Sequence, residues 1–322
     1  ILFYMKSRYV VIFTAAFFIV MLIIYPEKYI TSVSDGLNLY AVKVLPALFP
    51  FMFFGKILSE LNFGYDVGKA MRKPVKKLYN APGIGGYALI MSMLSGYPVG
   101  AKTVAELYEK NLISAADARK ISTFTSTSGP LFIVGTVGII MLNNKAAGFA
   151  ILASHYAGAV LNGLLYRGKK KDDTSVPLLP PLVDNTRVMS DSITNSVLSV
   201  AIVGGYIAIF CMALDVVSDF GVIRFFAKLF PLLSLDYNLG IGFFSSLVEI
   251  TKGCLIMSKS GASMRFVVPL CSFSIAFGGL SITLQSLTFL SKCKIKPAFY
   301  LLGKFTQAVI SAVISIPLAF LV

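Results

Sequence analysis

Ile84-Gly85-Gly86-Tyr87-Ala88-Leu89-Ile90-Met91-Ser92-Met93-Leu94-Ser95-Gly96-Tyr97-Pro98-Val99-Gly100-Ala101-Lys102-Thr103-Val104-Ala105-Glu106-Leu107 is apolar for most of its length and interrupted near its middle. A straight helix does not choose Gly96, Pro98 and Gly100 so close together, because Pro removes a backbone donor and Gly weakens the helix. Irregular backbone inside a bilayer is tolerated only where protein or a watery cavity covers it. Residues 84–107 therefore read as a hairpin that enters and leaves the membrane on one side.

That reading depends on the rest of the chain being a membrane protein, and composition says so. The 322 residues are 56% hydrophobic and 14% charged, with a mean hydropathy of +0.79. A soluble domain carries about a quarter charged residues, so this chain cannot cover a water-facing surface. Its apolar residues fall in blocks near the length of about 20 that a helix needs to cross a hydrocarbon core. Runs such as 10–25 and 132–142 do not alternate as barrel strands do. The expected class is an all-α polytopic membrane protein whose immediate surroundings are the lipid bilayer.

The net charge of +14 is gathered between the apolar blocks. Clusters stand at Lys6 and Arg8, at 69–77, at 167–171 and at 292–296, the pattern of cytoplasmic loops. No basic stripe with interleaved aromatics marks a nucleic-acid surface. With the clusters inside, the first helix (within residues 1–30) runs outward and a second, about 35–60, returns. Helices at about 121–142 and 146–166 form a pair, so 84–107 must return to the side it left. After a polar, Pro-rich linker at 167–187, a helix at about 188–214 runs outward. Helices at about 264–290 and 298–320 flank the last cluster, so residues 239–257 must enter and leave from outside. The expectation is about seven spans and two re-entrant hairpins, with a cytoplasmic N-terminus and an external C-terminus. Position 1 is Ile; Met5-Lys6-Ser7-Arg8 would make a start, and no small-x-small site follows the first apolar run, so an uncleaved first helix is expected.

Residues 31–166 and 188–322 then resemble each other in opposite orientation. Ser34-Asp35-Gly36-Leu37-Asn38 pairs with Ser190-Asp191-Ser192-Ile193-Thr194. Asp35 precedes Gly100 by 65 residues and Asp191 precedes Gly253 by 62. Gly100 precedes Gly129 by 29 and Gly253 precedes Gly279 by 26. Inverted repeats with broken elements at matching positions point to the central binding site of a secondary transporter.

The candidate site residues are those at the four breaks. Gly96, Tyr97, Pro98 and Gly100 form one hairpin tip, and Glu249, Thr251, Lys252 and Gly253 the other. Ser126, Thr127, Ser128 and Gly129 form a polar break before Pro130, mirrored by Gly279, Ser281 and Gln285. Half-helix N-termini attract anions, and Lys102 and Lys252 would add charge. The plainer alternative has both lysines snorkelling or capping a helix end, Glu249 forming an ion pair with Lys252, and the hydroxyls joining helices. His155 is expected to make an interior hydrogen bond. One His and no Cys-x-x-Cys pair argue against a metal centre, and no cofactor is expected. No nucleophile–base pair marks an enzyme.

The same residues carry a family likeness. Gly85-Gly86-Tyr87 and Ser95-Gly96-Tyr97-Pro98-Val99-Gly100-Ala101-Lys102 resemble the G-G and S-G-[FY]-P-x-G-A-K signature of the YlbJ-type sporulation integral membrane proteins. Phe124-Thr125-Ser126-Thr127-Ser128-Gly129-Pro130-Leu131-Phe132-Ile133-Val134-Gly135 is similar to that family's F-x-N-x-S-x-P-L-F-I-x-G, and Leu45-Pro46-Ala47-Leu48-Phe49-Pro50-Phe51 also fits. The resemblance implies a nucleoside-recognition (Gate) architecture like that of concentrative nucleoside transporters. It implies a multi-pass protein of the bacterial cell membrane, in sporulating cells the mother-cell-derived outer forespore membrane. It also implies transport of a small anion, dipicolinic acid, during endospore formation. A nucleoside-type carrier and a non-transporting assembly protein of the spore envelope are the rival expectations, and the same surface leaves room for a homo-oligomer.

Overall fold

In a computed structural model of the chain, residues 2–168 and 187–322 are described, and every element among them is helical. Helix α1 (Leu2–Ile24) is apolar beyond Arg8 except for Thr14, and meets α2 (Pro26–Leu39) at a sharp corner. The axes turn by 112° there. Pro26 explains the corner: it occupies the first turn of a new helix, where its missing N–H costs nothing. Helix α2 runs through a π turn (Tyr40–Val44) into α3 (Leu45–Glu60). Pro46 follows that turn and cannot donate to residue 42, which favours the wider turn. The second helix thus begins at Pro26 rather than near residue 35, so residues 26–34 form no external loop.

The short helices α4 (Phe63–Ala70) and α5 (Arg72–Tyr79) carry the 69–77 basic cluster. Helices α6 (Gly85–Ser95) and α7 (Val99–Glu109) fold back on each other around Gly96-Tyr97-Pro98. Helix α8 (Ala115–Ile121) starts at a capping box in which the Ser114 hydroxyl accepts from Asp117 N at 3.1 Å. A non-helical stretch through Gly129 follows, then a π-helical segment (Leu131–Met141) and α9 (Lys145–Leu165). Asn144 caps α9 by accepting from Ala147 N at 3.0 Å.

The second half has the same order of parts. Helix α10 (Val188–Asp219) is followed by the short α11 (Val222–Ala227) and α12 (Leu229–Leu232). A second hairpin pairs α13 (Tyr237–Ser246) with α14 (Ile250–Ser258). Its arms are antiparallel: a Cβ on Gly242 would lie 2.6 Å from Met257 N, and one on Gly253 2.4 Å from Ser246 Cα. Helix α15 (Met264–Phe277) breaks at Gly278 before α16 (Gly279–Leu290), and α17 (Pro297–Leu318) closes the chain. Gly278 and Gly279 have φ of +83° and +63°, which a side chain would strain.

The halves interlock. Helix α7 of the first hairpin packs on α16, while α14 of the second packs on the π-helical segment. One buried core joins α3–α8 to α10, and another joins the π-helical segment and α9 to α13–α15. Large apolar side chains such as Phe13, Ile209, Phe305 and Val313 face outward, which hydrocarbon accepts and water would penalise.

Four described spans are long and apolar enough to cross a membrane (α9, α10, α15 with α16 taken together, and α17), or five if the bent pair α1–α2 counts as one. The seven expected differ because two of them are not straight helices: 121–142 is interrupted around Gly129, and the helix from Pro26 carries the corner and the π turn. The linker expected at 167–187 lies, except at its ends, outside the described residues.

Candidate functional site

The tip of the first hairpin is shaped by close backbone contact. Gly96 has φ +79°, and a Cβ there would lie 2.4 Å from Gly129 N. A Cβ on Gly100 would lie 1.9 Å from Thr125 O. The tip is thus seated against the non-helical residues of its own half. Those residues lack helical partners, and side chains replace them, as buried backbone requires. Ser92 Oγ donates to Thr125 O at 2.5 Å, and Ser128 N donates to His155 Nε2 at 2.8 Å. Gln307 Nε2 donates to Ser126 O at 3.0 Å, and Ser126 Oγ lies 2.7 Å from the Tyr300 hydroxyl.

The second tip is held differently. The N-terminus of α16 donates to its carbonyls, Leu280 N to Leu247 O at 2.9 Å and Ser281 N to Val248 O at 3.1 Å. Glu249, 2% exposed, caps α14 by accepting from Lys252 N at 2.7 Å. The hairpin breaks at 247–249, so Lys252 and Gly253 are already helical.

Both tips and both breaks open onto one cavity of about 640 Å³, including its mouth. Ser95, Gly96 and Tyr97 line it from the first tip, and Ser128 and Gly129 from the adjoining break. Glu249 and Thr251 come from the second tip, and Ser281 and Gln285 from α16. Val44, Leu48 and Phe51 together with Val203 and Ile207 of α10 supply apolar walls. The Gln285 amide donates to Ser281 Oγ at 3.1 Å, which orients both.

Eight of the sixteen candidate residues are therefore on the wall: Gly96, Tyr97, Ser128, Gly129, Glu249, Thr251, Ser281 and Gln285. Ser126 and Thr127 lie outside it, the latter 2.6 Å from Ser92 Oγ through its hydroxyl. Pro98, Gly100, Gly253 and Gly279 shape the turns without lining the space. Lys102 and Lys252 are elsewhere. Lys102 donates to Ser199 Oγ at 2.8 Å in a separate groove with Lys56 and Glu106. Lys252 pairs through Nζ with Asp215 Oδ1 at 2.5 Å, so the expected Glu249–Lys252 ion pair is replaced by a backbone cap. The physical reason is helical direction: both lysines sit three to four residues into the helix after the tip, where the side chain has turned away from the break. Glu249 is the one charged residue on the described wall.

Sequence reasoning missed Lys304. It is 1% exposed, lies in the middle of α17, and donates to the Tyr97 hydroxyl. The signal was available, because a lone lysine inside an apolar span is costly and is a functional candidate by default. Among the described residues, no three of His, Cys, Asp and Glu gather as metal ligands.

The chain is 30% identical to the sporulation integral membrane protein YlbJ of Bacillus subtilis (strain 168), over 332 aligned positions. The match covers 93% of this chain and 80% of the relative. The chain belongs to the YlbJ-type family of sporulation integral membrane proteins. With its apolar helices, this makes it a multi-pass integral membrane protein. No family model matches the chain, and no solved structure matches it at a significant level.

Proposed function

We propose that the chain is a secondary carrier for a small planar metabolite, and that the metabolite is dipicolinate, moved across the outer forespore membrane as endospores form. The observation that supports this best is the make-up of the cavity. Its polar wall comes from two hairpin tips and two helix breaks, one of each from either half. Breaks free backbone groups and aim helix ends inward, which is how carriers with repeated halves hold solutes near mid-membrane. The two halves can then rock about the site. The apolar walls suit an aromatic ring, and Ser128, Thr251, Ser281 and Gln285 offer hydrogen bonds to its substituents.

A nucleoside-type carrier is the second reading. It is favoured by one observation: the charged group on the described wall is a carboxylate, Glu249, and no lysine stands there. Purified protein titrated calorimetrically with dipicolinate, uridine and adenosine separates the two. Saturable binding of dipicolinate supports the first reading. Binding of nucleosides alone replaces it with the second, and binding of none leaves an assembly role in the spore envelope.

A further inference from the structure

Lys304 stands out among the buried groups. Among the described residues no carboxylate comes within ion-pair distance of it, and its one hydrogen-bond partner is the Tyr97 hydroxyl. Its ammonium lies 4.1 Å from the Tyr97 ring centroid. Behind it, α15 ends: a Cβ on Gly278 would lie 3.5 Å from Lys304 Cε, and the Tyr97 hydroxyl is 3.3 Å from both Ile275 O and Ala276 O. A helix C-terminus carries partial negative charge, so this is a place where a cation can be held without a carboxylate. That arrangement leaves no carboxylate among the described residues to hold a proton on Lys304, so an anionic solute would be what holds it there. Tyr97 in turn lines the cavity, so the ammonium is separated from the cavity by one phenol.

We infer that Lys304, acting through Tyr97, is the counter-charge that selects an anionic solute in the central cavity. The inference rests on the carrier reading and deepens it, for it supplies the positive charge that Lys102 and Lys252 do not bring to the wall. A carboxylate of the solute placed near Tyr97 would supply the counter-charge that lets the Lys304 amine hold a proton, in a medium of low dielectric where attraction is weakly screened. Glu249, across the wall, would disfavour a second charge nearby, so the site discriminates between the two ends of a dicarboxylate. Tyr97 also ties this response to structure. Its hydroxyl bridges the first hairpin tip, the Ser126 carbonyl at 2.9 Å and the end of α15. A solute that draws on Lys304 therefore pulls on contacts between the two halves.

The test compares dipicolinate with its uncharged diamide, pyridine-2,6-dicarboxamide, by calorimetry on the purified full chain. Wild type should prefer the dianion. Lys304→Met, which keeps length and removes charge, should weaken dipicolinate about tenfold or more and leave the diamide unchanged. Exposed Lys259→Met should change neither. If Lys304→Met does not yield folded protein, Lys304→Gln keeps a hydrogen-bonding tip without the amine, and the same selective loss is expected. Dipicolinate binding at wild-type strength in either folded variant overturns the inference and leaves the carrier reading standing. A wild type that binds neither ligand overturns both.

Discussion

At the scale of single residues, the account turns on positions where backbone meets backbone. Gly100 is the sharpest: a methyl group there would overlap the Thr125 carbonyl, which is fixed in turn by Ser92. Gly100→Ala should cost about 3 kcal/mol, the upper range for overpacking a rigid site. Gly205→Ala is the control, since nothing lies within 4 Å of the added carbon. It should stay within about 1 kcal/mol of wild type, on the stabilising side, because Ala is the better helix former. Thermal unfolding in detergent checks both. These glycines were legible in the sequence, because Gly beside Pro in an apolar run has few structural uses. The direction of a side chain was not. Lys102 and Lys252 look close to the tips along the chain, yet a few helical residues carry them away from the cavity. Lys304 is far from any tip in sequence and reaches Tyr97 only once α17 has packed against α9 and α15. No local pattern encodes that meeting.

At the scale of elements, the two hairpins are anchored by unlike means. The first is set into the break around Ser126–Gly129 by side-chain hydrogen bonds, and the second is tied to α10 by the Lys252–Asp215 pair. Both partners are roughly a quarter exposed, so the pair is expected to be modest in strength. A double-mutant cycle with Lys252→Met and Asp215→Asn should give a coupling of about 1 kcal/mol in thermal unfolding. Coupling indistinguishable from zero would mean that the second hairpin docks through its backbone contacts to α16 alone. Element boundaries show where sequence reading ends. The breaks at Gly96–Pro98 and Gly278 coincide with Gly and Pro and could be located in advance. The break at 247–249 contains neither, and it is set by α16 donating to the tip carbonyls, which is tertiary structure. The start of the second helix, expected near residue 35 and found at Pro26, differs for a related reason: Pro starts helices as readily as it stops them, and what decides is the neighbour the new helix packs on, here α10.

For the whole molecule, the charge clusters should fix sidedness. Lys73 stands exposed in the basic region, and Asn143 is exposed at the turn before α9. The four native cysteines are all buried, so an added one is readily distinguished. In intact cells an impermeant maleimide should label Asn143→Cys and spare Lys73→Cys; the opposite result inverts the chain in the membrane. The central claim is that solute passes through the cavity between the two tips and the two breaks. Its most direct test is uptake of radiolabelled dipicolinate into proteoliposomes holding the Gln285→Cys protein, before and after alkylation of that cysteine. Uptake should be saturable, should fall to background once the wall residue is blocked, and should be protected when dipicolinate is present during alkylation. Uptake that continues at its former rate after complete labelling would contradict the account.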